Sequence, residues 1–350
     1  MKKLMFFAGG TMGHIAPAIS FINSLESSKY QIILIMTNKD KKFHIEEKIK
    51  SIDIKYINAF GINRKNLFNI FFKNIKAFKK IKKIVQDFKP NIIIGMGGYI
   101  SGIGVYVGIK QKVKTMIHEQ NKIMGLANKL IYKKVDKVLV SFKLNIKNEI
   151  YTGNPRYVDA LKYKLSHHQN SNIDNNLLFI SGSLGSEKIN QFVIDFINSS
   201  YSKKYFITVI TGEKYYNEVK DKIKKNNVYV IPYTQNIFYH LLNNQIIISR
   251  SGSSSIFEIL GMKKIPILIP SPNVVNNHQE HNSKLITENK LGEVILEKDL
   301  TIDHFISVLN KINQNQNEYI TNLNNFILPN SIEIFHHNLK DLEDKNGWIN

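Results

Sequence analysis

Four glycine- and serine-rich turns carry the groups in this chain best suited to gripping charged oxygen. The most telling lies at residues 249–258, Ser-Arg-Ser-Gly-Ser-Ser-Ser-Ile-Phe-Glu. It sets Ser253, Ser254 and Ser255 at the start of a helical pattern, with Glu258 about a turn further in. Backbone N–H groups at a helix start lack intrahelical partners, and the helix dipole adds partial positive charge there. Glycine lets a ligand approach the backbone closely, and serine hydroxyls add donors. Such a unit suits a diphosphate. Glu258 is placed to accept hydrogen bonds from a ribose diol; the plainer reading is a capped helix with a solvated glutamate. Residues 181–186 (Ser-Gly-Ser-Leu-Gly-Ser), 9–14 (Gly-Gly-Thr-Met-Gly-His) and 95–102 (Gly-Met-Gly-Gly-Tyr-Ile-Ser-Gly) are turns of the same kind.

Each turn sits where a strand must hand over to a helix. Residues 3–8, 32–36, 91–94, 115–117 and 138–141 read as strands in the first half. Residues 177–180, 206–211, 228–231, 246–248 and 265–269 do so in the second. Short, uniformly apolar runs of this kind suit strands buried on both faces. Ile15, Ala18, Ile19, Ile22 and Leu25 mark the face of the first intervening helix. Alternating strand and helix signals predict parallel sheets in an α/β fold. At 350 residues two domains are expected, with the polar stretch 162–176 as a linker or surface loop. Polar groups gather at strand ends, and the default ligand site is a cleft between two such domains. The glycine spacing is wrong for a dinucleotide fingerprint, and Thr37-Asn38 ends the second strand where an acidic residue is wanted. His118 and Glu119 are adjacent on one strand and so point to opposite faces, which argues against a shared metal. His278 and His281 read as surface residues, with no clustered carboxylate or cysteine beside them.

The formal charge of +20, from 48 basic and 28 acidic residues, points to anionic partners. There is no cysteine, so neither disulfides nor thiolate metal sites are available. The basic, apolar start runs into Gly9-Gly10 too early for a signal peptide, and no apolar run reaches membrane-spanning length. Residues 61–90 hold nine basic residues and one acid, Asp87. Leu67, Phe68, Ile70, Phe71 and Phe72 would cover more of a helix than one core face buries. A helical stripe of Ile75, Phe78, Ile81, Val85 and Phe88 follows, with lysines beside it. From Leu67 to Lys83 the expectation is contact with an anionic membrane surface; the plainer alternative is a basic surface helix. A basic RNA-binding protein is the competing class, but no stacking platform or reader motif appears, so no nucleic-acid partner is expected.

Taken in order, GGTMGHIAPA (9–18), GMGGYISG (95–102), HEQNKIMGLANK (118–129), TGNPR (152–156), SGSLGS (181–186), SRSGSSSIFE (249–258) and NNHQEHN (276–282) resemble the bacterial MurG glycosyltransferases of cell-wall synthesis. The match spans residues 4 to about 290. The resemblance implies a GT-B fold, two Rossmann-like domains facing a cleft, and inverting, metal-independent transfer of N-acetylglucosamine from UDP-GlcNAc to lipid I, giving lipid II. It implies no cofactor and a peripheral place on the cytoplasmic face of the bacterial membrane. Residues 1–160 would form the acceptor and membrane domain, 161–330 the donor domain, and 331–350 a helical segment able to return to the first. By position, the main chain near Thr234 would meet uracil. Ser183 and the Ser253–Ser255 turn would meet the diphosphate, Glu258 the ribose and Gln279 the GlcNAc; Arg156 joins the UDP-GlcNAc-binding residues, with its role toward the phosphates left open. Thr11, Met12, Gly13 and Asn121 would reach the donor from the first domain. Gly13, Gly97, Gly98 and Ser101 would face the acceptor pyrophosphate. His14 would be the base for the acceptor hydroxyl, a task that suits an imidazole.

Three departures from the family pattern stand out. Met12 replaces a glycine, Tyr157 stands where many members carry arginine, with Arg156 one place earlier, and Asn277 replaces a frequent aspartate. Another GT-B enzyme acting on a lipid acceptor is the nearest alternative, and the HEQN and GMGGY stretches argue against it.

Overall fold

Runs such as Ile92-Ile93-Ile94 and Ile246-Ile247-Ile248 leave no polar face for water, so they form central strands covered on both sides. The computed structural model describes residues 1–47, 49, 52–59, 67–169, 175–182 and 185–344, with the side chains of 67–73 excepted. These residues fall into two units, Met1–Pro155 with Pro329–Asn350, and Arg156–Leu328.

The first unit runs β1 (Lys2–Phe7), α1 (Met12–Asn23), β2 (Tyr30–Thr37), β3 (Asp53–Ile57), α2 (Leu67–Phe88), β4 (Ile92–Gly95), α3 (Tyr99–Lys110), β5 (Lys114–Glu119), α4 (Leu126–Ile131), β6 (Lys137–Val140) and β7 (Glu149–Tyr151). Its sheet is parallel throughout, in the order β3-β2-β1-β4-β5-β6-β7. Alternation along the strands sorts the core into two layers. Leu4, Phe6, Leu34, Ile92 and Ile94 face one side, against Ile15, Ala18, Phe21 and Ile22 of α1. Met5, Phe7, Ile33, Ile35 and Ile93 face the other, against Ala77, Ile81, Val85 and Phe88 of α2. Gly104 exists because a Cβ there would lie 2.4 Å from the Phe7 ring.

The second unit begins within α5 (Pro155–Ser166) and continues β8 (Asn176–Ile180), α6 (Glu187–Asn198), β9 (Phe206–Ile210), α7 (Tyr216–Lys222), β10 (Val228–Ile231), α8 (Ile237–Leu242), β11 (Ile246–Ser249), α9 (Ser253–Gly261), β12 (Ile265–Leu268), α10 (His278–Glu288), β13 (Glu293–Val294), α11 (Ile302–Gln314) and α12 (Gln316–Asn325). Its parallel sheet is ordered β10-β9-β8-β11-β12-β13. The stretch expected to be a loop from residue 162 is helical to Ser166, continuing α5, whose Tyr157 and Ala160, three apart, share a buried face. The last helix, α13 (Ser331–Asp344), belongs to the first unit. Phe335, Leu339 and Leu342 enter that core, and Phe335 stacks on Phe21 at 4.2 Å between ring centroids.

Both sheets reverse direction of winding at their centre. In the first unit β1 leads outward to β2 while β4 starts the other wing, and in the second β8 and β11 do the same. Loops after the two central strands therefore diverge, and the gap between them is where open α/β sheets bind ligands. The glycine turns of 9–14 and 95–98 flank the first gap. Residues 181–182 and 185–186, with the turn of 250–255, flank the second.

Candidate active site

In the first unit the turn after β1 is held from below by a buried carboxylate. Asp40, 1% exposed, accepts Gly10 N–H at 3.0 Å, Thr37 N–H at 3.0 Å and the Thr37 hydroxyl at 2.6 Å. Gly9 leaves room for that carboxylate, since a Cβ would lie 2.7 Å from Asp40 Oδ2. Gly10 adopts φ +91°, and Thr11 then caps α1 with Met12 as its first helical residue. The methionine therefore occupies a helical conformation and does not demand glycine's freedom. His14, one turn in, has Nδ1 at 3.1 Å from Gly9 O and 3.3 Å from Thr11 Oγ1. A carbonyl oxygen only accepts, so Nδ1 carries a proton toward it, and in the neutral ring the lone pair then falls on Nε2.

The turn after β4 closes over this imidazole. Gly97 and Gly98 have φ of +97° and +79°. A Cβ on Gly97 would lie 2.5 Å from His14 Cδ2, and one on Gly98 would lie 2.3 Å from Gly9 O. Gln120, after β5, donates to Met96 O at 2.7 Å and fixes the same turn. Asn121 is set by Glu119, whose Oε1 accepts the Asn121 N–H at 3.0 Å and whose Oε2 accepts Gly125 N–H and Asn128 Nδ2 at 3.0 and 2.9 Å. His118 lies in the core, with Nε2 at 3.4 Å from Gly153 O and Nδ1 accepting from Gln120 at 3.1 Å. His118 and Glu119 thus organise separate networks. Thr11, Gly13, His14, Gly97, Gly98 and Asn121 all belong to loops or to the start of α1 on the carboxyl edge of one sheet. Ser101 does not join them: its hydroxyl is fully buried, and a Cβ on Gly95 would lie 2.5 Å from it.

In the second unit Gly252 caps α9 without a side chain, and Ser253, Ser254 and Ser255 form its first turn. Arg250 braces the turn by donating to Ser186 Oγ at 2.6 Å and to Ile269 O at 3.2 Å, and by pairing with Glu297. Ser186 in turn caps α6. Asn282 donates to Ser251 O at 3.3 Å. One guanidinium therefore ties both serine turns to the end of β12. Glu258 lies on α9 with its side chain 12% exposed, and its Oε1 accepts Arg156 Nε at 2.7 Å. Arg156 also donates to Asp159 Oδ2 at 3.0 Å and lies over the Phe238 ring at 4.6 Å. Gln279 Oε1 accepts Ser271 N–H at 2.9 Å, and the Thr234 hydroxyl accepts Asn236 N–H at 3.1 Å, just before α8. A cleft of about 510 Å³ in the same unit is lined by Lys188, Ser271, Asn277, Glu280 and Lys298 among others. Ser183 lies outside the described residues.

Asp40 and Arg250 went unassigned in the sequence. Thr37-x-x-Asp40 is a capping-box spacing, a signal that would have found the first. Nothing local marks the second, because its partners lie 19 to 64 residues away.

Residues 4–140 match the glycosyltransferase family 28 N-terminal domain, and residues 176–337 match the corresponding C-terminal domain. A UDP-N-acetylglucosamine--N-acetylmuramyl-(pentapeptide) pyrophosphoryl-undecaprenol N-acetylglucosamine transferase of Pediococcus pentosaceus is 35% identical over 332 residues, 89% of this chain and 90% of that protein. The enzyme of the same name from Finegoldia magna is 35% identical over 90% of each chain. The crystal structure of Acinetobacter baumannii MurG superposes with a TM-score of 0.77, covering 98% of this chain and all of that one at 19% identity, and so supports the GT-B fold. A buried carboxylate under the first glycine turn, an imidazole held through Nδ1 by a backbone carbonyl, and a serine-started helix bearing Glu258 are thus found in a chain that belongs to glycosyltransferase family 28, in the family of the MurG N-acetylglucosamine transferases.

Proposed function

We propose that this chain transfers N-acetylglucosamine from UDP-GlcNAc to the sugar hydroxyl of N-acetylmuramyl-pentapeptide pyrophosphoryl-undecaprenol, lipid I, forming lipid II. The observation that carries the reading is His14. Its Nδ1 proton is held by Gly9 O, which leaves Nε2 as the atom able to accept a proton. The acceptor oxygen attacks the anomeric carbon while its proton passes to Nε2. The bond from that carbon to the UDP oxygen breaks, and UDP leaves with the electron pair. Attack opposite the leaving group inverts the anomeric carbon. Helix amides and hydroxyls at Ser253–Ser255, with Ser183, receive the charge that develops on the diphosphate. Glu258 takes the ribose, the main chain near Thr234 the uracil and Gln279 the sugar. Gly13, Gly97 and Gly98 serve the acceptor pyrophosphate, with Thr11 and Asn121 on the donor sugar.

The same reading places the protein on the cytoplasmic membrane face. On α2, Ala77, Ile81, Val85 and Phe88 are buried while Lys76, Lys79, Lys80, Lys82 and Lys83 stay exposed. Tyr106 of α3 and Leu126 and Leu130 of α4 are also exposed, on helices that pack in series beside α2. Lysines beside exposed apolar groups fit an anionic lipid surface. The apolar run Leu67 to Phe72 lies where side chains are not described. No helix among the described residues is long and apolar enough to cross a membrane.

Replacing His14 tests the chemistry. His14→Ala is expected to lower turnover about 10²- to 10⁴-fold and to leave UDP-GlcNAc affinity within about twofold, by the separation of turnover from binding. Unchanged turnover would remove the base.

A further inference from the structure

We propose that Arg156 is a positioning residue for the ribose-binding carboxylate and not a ligand of the diphosphate. The inference rests on the assignment of Glu258 to the ribose. A guanidinium carries five donors in a planar fork. Here the Nε edge meets Glu258 Oε1 at 2.7 Å, Nη1 meets Asp159 Oδ2 at 3.0 Å, and the flat face lies 4.6 Å from the Phe238 ring centroid. Two edges and a face are thus committed to three elements, α5, α9 and α8.

The charge count points the same way. Two carboxylates against one cation leave this cluster with one net negative charge. Such a cluster repels a diphosphate and welcomes a neutral group that donates hydrogen bonds. Glu258 spends one oxygen on Arg156, and its Oε2 has no hydrogen-bond donor among the described residues. A ribose hydroxyl supplies that donor. Asp159 keeps the guanidinium from swinging away, and Phe238 supports its plane beside the loop that carries Thr234. The arginine's position one place before Tyr157 is then explained. Its backbone lies at the start of α5, from which the side chain reaches across to α9.

The test compares UDP with 2′-deoxy-UDP by calorimetry in the full-length chain. The wild type is expected to prefer UDP by about 10- to 100-fold, the range for hydrogen bonds to a charged group. R156Q leaves Glu258 unsupported and is expected to lower that preference about tenfold, mostly by weakening UDP. R156K keeps the charge but cannot serve both carboxylates, so it is expected to lower the preference as well and covers the case in which R156Q fails to fold. If either variant weakens both ligands equally with the preference intact, Arg156 acts on the phosphates and the proposal is overturned. A wild type that binds UDP without preferring it over the deoxy ligand overturns the ribose role of Glu258, and the proposal with it. A wild type that binds neither ligand overturns the donor assignment itself.

Discussion

Lowering the pH should loosen the first unit through a single buried ring. His118 is 1% exposed and sits edge-on to Phe21 at 5.4 Å between centroids. Burial pulls its pKa from the usual 6.5 down to about 4, with the Gly153 carbonyl opposing the shift. The folded pKa is depressed, so between pH 4 and 6.5 the unfolded chain binds more protons than the folded one. Stability then rises with pH across that window, is complete above 6.5, and is lost as pH falls through about 4. At about 1.4 kcal/mol per pH unit, the effect sums to about 3 kcal/mol. His118→Gln keeps an amide donor and acceptor but does not titrate. Urea unfolding followed by circular dichroism at intervals from pH 4 to 7.5 would measure both proteins. The wild-type curve should be steeper than that of the variant, by up to about 1.4 kcal/mol per pH unit. Taking the difference cancels carboxylates common to the two. Parallel curves would refute the reasoning and would mean that His118 titrates normally in the folded chain.

Two further perturbations probe the glycine turn that closes over His14 and the lysine-bearing face of α2. Gly98→Ala drives a Cβ to 2.3 Å from Gly9 O at a φ of +79°, a strain of about 1–3 kcal/mol imposed on the carbonyl that orients His14. Turnover should fall at least about tenfold with UDP affinity unchanged, and a kinetic titration showing wild-type turnover would contradict this. Reversing Lys76, Lys79 and Lys80 to glutamate should sharply reduce cosedimentation with anionic vesicles, since each lysine near such a surface contributes about 1 kcal/mol. Equal sedimentation of variant and wild type would refute the membrane reading.

Central strands and ligand turns were legible because each is written locally. Ile246-Ile247-Ile248 has only one use in a fold of this size, and a glycine-rich turn before a helical pattern marks its own position. Three of the four edge strands were not. Asp53–Ile57 alternates polar and apolar residues, and Glu149–Tyr151 and Glu293–Val294 are three and two residues long. Their hydrophobic signal is weak because one side of an edge strand has no partner strand. The helix through Ser166 was hidden by its polar outer face. Among candidate site residues, Glu258 is marked by its turn and His14 by the family resemblance, but the side chains that hold them are not marked. Asp40 lies beneath a turn that ends 26 residues earlier, and Arg156 meets Glu258 across 102 residues of sequence. Such pairings follow from sheet topology, which no local window contains. Ser101 shows the converse: its place in a ligand-type turn suggested exposure, and the packing of Gly95 buries it.

The central claim is that two glycine- and serine-turn sites serve one sugar transfer. Its most direct test is transfer of labelled sugar to a lipid I analogue, with UDP-GlcNAc and UDP-glucose supplied in parallel. The account predicts lipid II formation from UDP-GlcNAc, with inverted anomeric configuration and little transfer from UDP-glucose. Efficient transfer from UDP-glucose, or none from UDP-GlcNAc to this acceptor, would contradict it.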